Sequence, residues 1–145
     1  MCILFTHASA QAADVNSVKA TIVKHAIEMG VDPAIALSIA RTESGFRHEA
    51  RSSHGAVGVF QLMPSTARRM GYNPYSLNEN IKAGITYYKK MYNMFGSVEL
   101  ALAAYNAGPG NVKKYNNKVP PYGETRRFVS KIMSDVNRQR VAPDP

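Results

Sequence analysis

The stretch between Asp32-Pro33 and Gly45 constrains this chain more than any other. Aspartate is a strong helix N-cap, because its side-chain oxygen accepts a backbone N–H that the first turn leaves unpaired. Proline suits the first helical position, where its missing N–H removes no hydrogen bond. Glycine tolerates the left-handed residue that closes a helix. Between these signals, Ala34 to Ser44 carries Ile35, Leu37, Ile39 and several alanines and is apolar on most faces. A helix of that kind is stable only when other elements wrap it. The chain is therefore expected to build around a central buried helix.

The elements available for wrapping are also helical. Strand-like alternation is nearly absent. Asp14 to Met29 reads as a first helix, with Val15, Val18, Ile22 and Ile27 at apolar positions and Gly30 as its stop. Pro64 opens a short helix through Met70. Asn78 to Phe95 reads as a long one, and Ser97 is placed to cap a helix over Val98 to Asn106. Ala107-Gly-Pro-Gly110 reads as its terminator. Thr125 to Arg138 is amphipathic, with Phe128, Ile132 and Val136 on one side. Phe46 to Val57 and Tyr115 to Gly123 read as loops. The expected architecture is all-α, six to seven helices around the central one, in a single domain over residues 14–138 with a flexible tail at 139–145.

The 145 residues suffice for one domain with its own core. No apolar run reaches the roughly 20 residues of a membrane-spanning helix, so no transmembrane segment is expected. Met1 to Phe5 is apolar, and Ala8-Ser-Ala10 or Ala10-Gln-Ala12 fits a small-residue cleavage rule, so residues 1–13 read as a signal-peptide remnant. The single cysteine, Cys2, excludes an internal disulfide and a thiolate metal site. His48 and His54 lack a third ligand at metal spacing, so neither metal nor cofactor is expected. A net charge of +8 favours an anionic partner. A nucleic acid is set aside, because the chain has no basic recognition helix and no aromatic stacking platform.

Three short segments carry the candidate chemistry. Glu43 stands in the last turn of the buried helix. Burial disfavours its ionised form and the negative end of the helix dipole acts in the same direction, so it is expected to stay protonated, the state a general acid needs. Gly55 and Gly58 bracket a segment expected to bring backbone close to a ligand. Gln61 offers both a donor and an acceptor there. Phe60, Leu62 and Met63 offer apolar surface, Leu62 reading as core. Ser52 or Ser53 is placed to hydrogen-bond Glu43. Tyr105 and Asn106 end an alanine-rich helix whose small residues permit close packing.

Thr42 to Phe46, Ser52 with Gly55 to Ala67, Ala103 to Val112 and Glu124-Thr-Arg126 together resemble the ordered motif series of the lytic transglycosylases. These are the soluble-lytic-transglycosylase family of bacterial cell-wall enzymes, with a lysozyme-like fold related to goose-type lysozyme. The resemblance covers roughly residues 15–137. It implies Glu43 as the catalytic acid and base, Ser52 as its polar neighbour, Gln61 and Met63 as cleft-lining residues, and Tyr105 close to the acid, with Asn106 among the substrate-binding residues. Three positions depart from the pattern. Gly58-Val-Phe-Gln61 replaces Gly-Leu-Met-Gln, Arg47-His48 stands where Asn-Pro is common, and Phe128 stands where tyrosine is frequent.

Most glycosidases work with two carboxylates, and no second acid sits in a comparable motif here. The resemblance implies a one-acid route, in which Glu43 protonates the bond between N-acetylmuramic acid and N-acetylglucosamine and then takes the proton of the C6 hydroxyl as a 1,6-anhydro ring closes. The alternatives are a hydrolytic lysozyme, with Glu49 to activate water, and a non-catalytic wall-binding assembly protein. The implied partner is peptidoglycan, in the periplasm or outside the cell. The small size points to service in a secretion, conjugation or other envelope-spanning machine, and the chain is expected to act as a monomer. Peptidoglycan stem peptides carry carboxylates, so adsorption of this +8 chain to purified sacculi is expected to fall as salt is added; a bound fraction indifferent to ionic strength would contradict an electrostatic role for its surface.

Overall fold

A computed structural model describes the backbone of residues 2–141 and the side chains of residues 15–140. The described residues form seven helices: α1 (Cys2–Glu28), α2 (Pro33–Ser44), α3 (Pro64–Arg69), α4 (Leu77–Phe95), α5 (Val98–Ala107), α6 (Pro109–Lys114) and α7 (Gly123–Val141). Among them there is no strand, only isolated antiparallel bridges of Val57 with Arg51 and Leu62. No helix of the described residues is long and apolar enough to cross a membrane. The chain divides into two compact units, Met1–Ala83 and Gly84–Pro145, with the division inside α4.

In the first unit the punctuation of α2 is as expected. The Asp32 carboxylate accepts the Ala34 N–H at 2.9 Å, and Gly45 closes the helix at φ 62°, its N–H bonded to Arg41 O. Ile35, Ala36, Ser38, Ile39, Ala40 and Ser44 are buried. α1 packs against α2 and buries Val18, Ile22 and Ala26. The backbone of α1 begins at Cys2, well before the Asp14 start expected from periodicity. The side chains of the expected signal remnant at residues 1–13, Cys2 included, lie outside the described residues. Buried His25 ties the end of α1 to the start of α4: Nε2 meets Asn78 Oδ1 at 2.8 Å and Nδ1 meets Glu28 Oε1 at 3.1 Å.

The segment after α2 is more ordered than a polar loop. Val57 and Leu62 exchange N–H and C=O at 2.9 and 3.1 Å, so residues 58–61 form the turn of a minimal hairpin, closed by Gln61 N–H to Gly58 O at 3.1 Å. The Asn80 side chain, fully buried, holds this turn. Its Nδ2 donates to Val57 O and to Pro74 O, each at 3.0 Å, and its Oδ1 accepts the Phe60 N–H at 3.0 Å. That closeness explains Gly58. A Cβ there would lie 2.4 Å from Asn80 Nδ2, and φ is +82°. The side-chain-free approach expected at Gly58 serves the Asn80 carboxamide. The turn also directs Val59, Phe60 and Leu62 inward. Phe60 is 0% exposed, so the bulk that replaces methionine fills core and leaves no face for a ligand.

The second unit contains the rest of α4, then α5, α6 and α7. Ser97 caps α5, its Oγ accepting the Leu100 N–H at 3.1 Å. α5 packs on α6 and α7, burying Ala101 to Tyr105 on one side and Phe128, Val129, Ile132 and Val136 on the other. Gly108-Pro109 both ends α5 and starts α6, a helix that the glycine-proline run concealed. α7 continues to Val141, so residues 139–141 belong to it and not to a tail; residues 142–145 lie outside those described.

Removing the Asn80 carboxamide takes away its bonds to the Phe60 N–H and to Pro74 O and leaves Val57 O with the Leu62 N–H alone, and a buried group left unpaired costs about 1–3 kcal/mol. Asn80→Ala and Gly58→Ala are both expected to lower the urea midpoint clearly, and a midpoint equal to that of the unchanged chain in either would rule out this clamp.

Candidate active site

Glu43 sits in the last turn of α2 and is half-buried. Its neighbour Ser44 fixes where that turn lies. The Ser44 hydroxyl donates to Val59 O at 2.7 Å, within reach also of Ala40 O at 3.1 Å, and accepts the Arg47 N–H at 3.2 Å. The helix end that carries Glu43 is thus hydrogen-bonded to the turn that Asn80 holds. Past Gly45, Phe46 keeps a left-handed backbone at φ 66° while its buried ring packs under the cations of Lys19 (5.1 Å) and Arg41 (5.7 Å). Arg47, where Asn is common, folds back so that Nε donates to Ser44 O at 2.9 Å. Two polar atoms here, Thr42 Oγ1 and His48 Nδ1, are buried without a hydrogen-bond partner.

The loop brings three expected site residues onto one frame. The Ser52 hydroxyl accepts the N–H groups of His54 at 3.2 Å and Ala56 at 3.0 Å, which shapes the bend before the hairpin and leaves the hydroxyl proton to donate. Gln61, at φ 50°, spends its side-chain donors on backbone, Nε2 reaching Ala50 O at 3.0 Å and Gly58 O at 2.9 Å. Two carbonyls can only accept, so the amide orientation is settled by its partners. Gln61 therefore presents an acceptor to a ligand and not the donor-acceptor pair expected. Met63 is 44% exposed at the start of α3, and a Cβ at Gly55 would lie 3.7 Å from its Cε. Met63 is the exposed apolar surface of the segment, since Phe60 and Leu62 are core.

Tyr105 and Asn106 belong to the second unit. Tyr105 is buried, its ring edge-on to Tyr87 (centroids 5.3 Å, 60°) and parallel to Phe128 (6.1 Å, 7°). Phe128 thus backs Tyr105 with a bare ring face, for which a hydroxyl is not needed. Asn106 joins α5 to α7: its Oδ1 accepts from Thr125 Oγ1 at 2.8 Å and its Nδ2 donates to Glu124 Oε2 at 3.2 Å. This bond pair brings the Tyr105-Asn106 and Glu124-Thr125 segments of this chain together. Nearby in the same unit, Tyr122 donates to Asn111 Oδ1 at 3.1 Å and meets Tyr115 edge-on at 5.8 Å. Desolvation first, then the hydrogen bond and charge of Tyr115, push the Tyr122 phenol above its usual range.

Sequence reasoning missed Asn80 and the role of Ser44. Both act on backbone atoms distant in sequence, and a lone asparagine in the first turn of a helix gives no warning of that. Among the described residues no group of three or more His, Cys, Asp or Glu is placed to hold a metal.

Residues 20–127 match the sequence model of the Transglycosylase SLT domain. The chain is 30% identical over 118 residues, 81% of its length, to a transglycosylase of Enterobacteria phage PRD1, of which it covers 42%. It is 31% identical over 128 residues, 72% of its length, to the soluble lytic murein transglycosylase of Escherichia coli K12, of which it covers 20%. The chain therefore spans less than half the length of either relative. Among solved structures, an inactive glutamate-to-glutamine mutant of the lytic transglycosylase Slt from Pseudomonas aeruginosa aligns with a TM-score of 0.74 at 32% identity, covering 87% of this chain and 25% of that one. The fold is the lysozyme-like helical fold of these enzymes. A domain match over most of the chain, with relatives of about this identity, makes the chain a member of the transglycosylase SLT domain family.

Proposed function

We propose that this chain is a peptidoglycan lytic transglycosylase that works with Glu43 alone as acid and then base. The observation that carries this is the position of Glu43: a half-buried carboxyl in the last turn of α2, on a helix end that Ser44 ties to the clamped turn. Glu43 protonates the glycosidic oxygen between N-acetylmuramic acid and N-acetylglucosamine, and the muramoyl acetamido group shares the developing positive charge. Glu43 then removes the C6 hydroxyl proton of the same sugar as that oxygen closes the 1,6-anhydro ring. Ser52 donates its hydroxyl proton to the Glu43 carboxyl. The Gln61 carbonyl accepts from a sugar hydroxyl or acetamido N–H, Met63 covers a sugar face, and Tyr105 and Asn106 contribute to substrate binding.

The other acids of the described residues support a one-carboxylate mechanism. Asp32 caps α2, Glu28 faces His25, Glu79 accepts the Asn73 N–H, Glu124 accepts from Asn106 and Asp135 pairs with Arg138. Glu49, the candidate for activating water in a hydrolase, is exposed, as is Glu99. The Pseudomonas relative, whose solved mutant is inactive after one Glu-to-Gln change, agrees with a glutamate that has no substitute. The site of action is the bacterial envelope, where murein lies.

General acid catalysis alone contributes about 10²–10⁴-fold, so Glu43→Gln is expected to slow solubilisation of purified sacculi by at least about 100-fold while leaving the urea midpoint near that of the parent. Lysis by the variant at the parental rate would end the proposal.

A further inference from the structure

Two guanidiniums of the first unit converge on one exposed ring. Arg51 lies 5.6 Å and Arg68 5.9 Å from the centroid of Tyr75, which is 47% exposed. They come from different elements, Arg51 from the loop that carries Ser52 and Arg68 from the end of α3. Neither makes an ion pair among the described residues. Contacts of this kind at exposed sites are each worth about 0.5–1 kcal/mol, enough to hold two long side chains against a screened repulsion but not to neutralise them. Arg51 is further oriented by its Nη1, which donates to His48 O at 3.2 Å and Ala50 O at 2.9 Å. That use of Nη1 leaves the Nε–Nη2 edge, whose two parallel N–H bonds match a carboxylate. Arg68 makes no hydrogen bond with its side chain among the described residues. The result is an exposed aromatic ring flanked by two guanidiniums, neither of which is ion-paired among the described residues.

We infer that Arg51, Arg68 and Tyr75 form a binding site for the carboxylates of peptidoglycan stem peptides. The choice of ligand rests on the proposed substrate. A glycan backbone offers hydroxyls and acetamido groups, whereas its stem peptides carry several carboxylates on a short chain, the spacing that two guanidiniums on one ring can meet together. Arg51 is bridged to Val57 and immediately precedes Ser52, so a peptide held here lies against the loop assigned to the active site. The site would make the enzyme prefer strands that still carry their peptides.

Two measurements on the full chain test this. The first is calorimetric binding to the Glu43→Gln protein of a stem tripeptide with free carboxylates and of the same peptide fully amidated. Binding of the free acid that weakens about tenfold on amidation, and by a similar factor in the Arg51→Gln/Arg68→Gln double variant, is the expected result. No binding, or binding indifferent to both changes, overturns the inference. The second compares the double variant with the parent on intact sacculi and on glycan strands stripped of peptide by an amidase. A raised KM at unchanged kcat on sacculi only is expected, and an equal loss on both substrates overturns it. If the parent cleaves neither substrate, the proposed activity fails, while the binding measurement still decides this site.

Discussion

One buried carboxamide sets the geometry on which the first unit depends. Asn80 gives two hydrogen bonds to the carbonyls of Val57 and Pro74 and receives one from the Phe60 N–H, all at 3.0 Å and all out of water. In that setting the bonds cannot be exchanged for solvent, so the turn has one shape or an expensive alternative. Gly58 is the counterpart of the same constraint, because any side chain there would occupy the space of the carboxamide. Ser44 extends the constraint to α2 through Val59 O. Glu43, the residue before Ser44, is therefore positioned by a chain of polar contacts that starts in α4 and passes through backbone atoms of the hairpin.

Such a chain was only partly legible in the sequence. The bounds of α2 were readable because Asp32, Pro33 and Gly45 act on their own neighbours, and local signals are what a sequence displays. The Ser97 cap was readable for the same reason. α6 was not, since Gly108-Pro109-Gly110 stops one helix and the same residues start another. The long-range ties of Asn80, Ser44 and Gln61 end on backbone carbonyls and N–H groups, which every residue possesses and which leave no mark in composition. Gly58 was correctly singled out as a close approach, but the approaching group is the chain's own asparagine. Gln61 was correctly placed on the loop, yet its donors are consumed by Ala50 and Gly58. Phe60 looked like a subsite residue and is core, because the Val57–Leu62 pairing turns it inward.

The second unit shows the same division between motif and mechanism. Tyr105 and Asn106 stand out as a pair in the sequence, but what they do locally differs. Tyr105 is enclosed by Tyr87 and Phe128. Asn106 uses both ends of its carboxamide on Thr125 and Glu124 and so joins two helices. Both residues thus hold the second unit together, whatever part they play in binding substrate. Among the described acids, Asp32, Glu28, Glu79, Glu124 and Asp135 hold a cap, a pair or a backbone bond, Glu49 and Glu99 stand exposed, and Glu43 is half-buried at the end of α2.

Mass analysis of the fragments released from purified sacculi addresses the proposed single-acid route most directly. With one carboxyl acting twice and no water consumed, newly formed muramoyl ends should carry the 1,6-anhydro ring, each lighter by one water than a hydrolysed end. Reducing muramoyl ends as the main product would show that water is activated at this site and would contradict a single-acid enzyme.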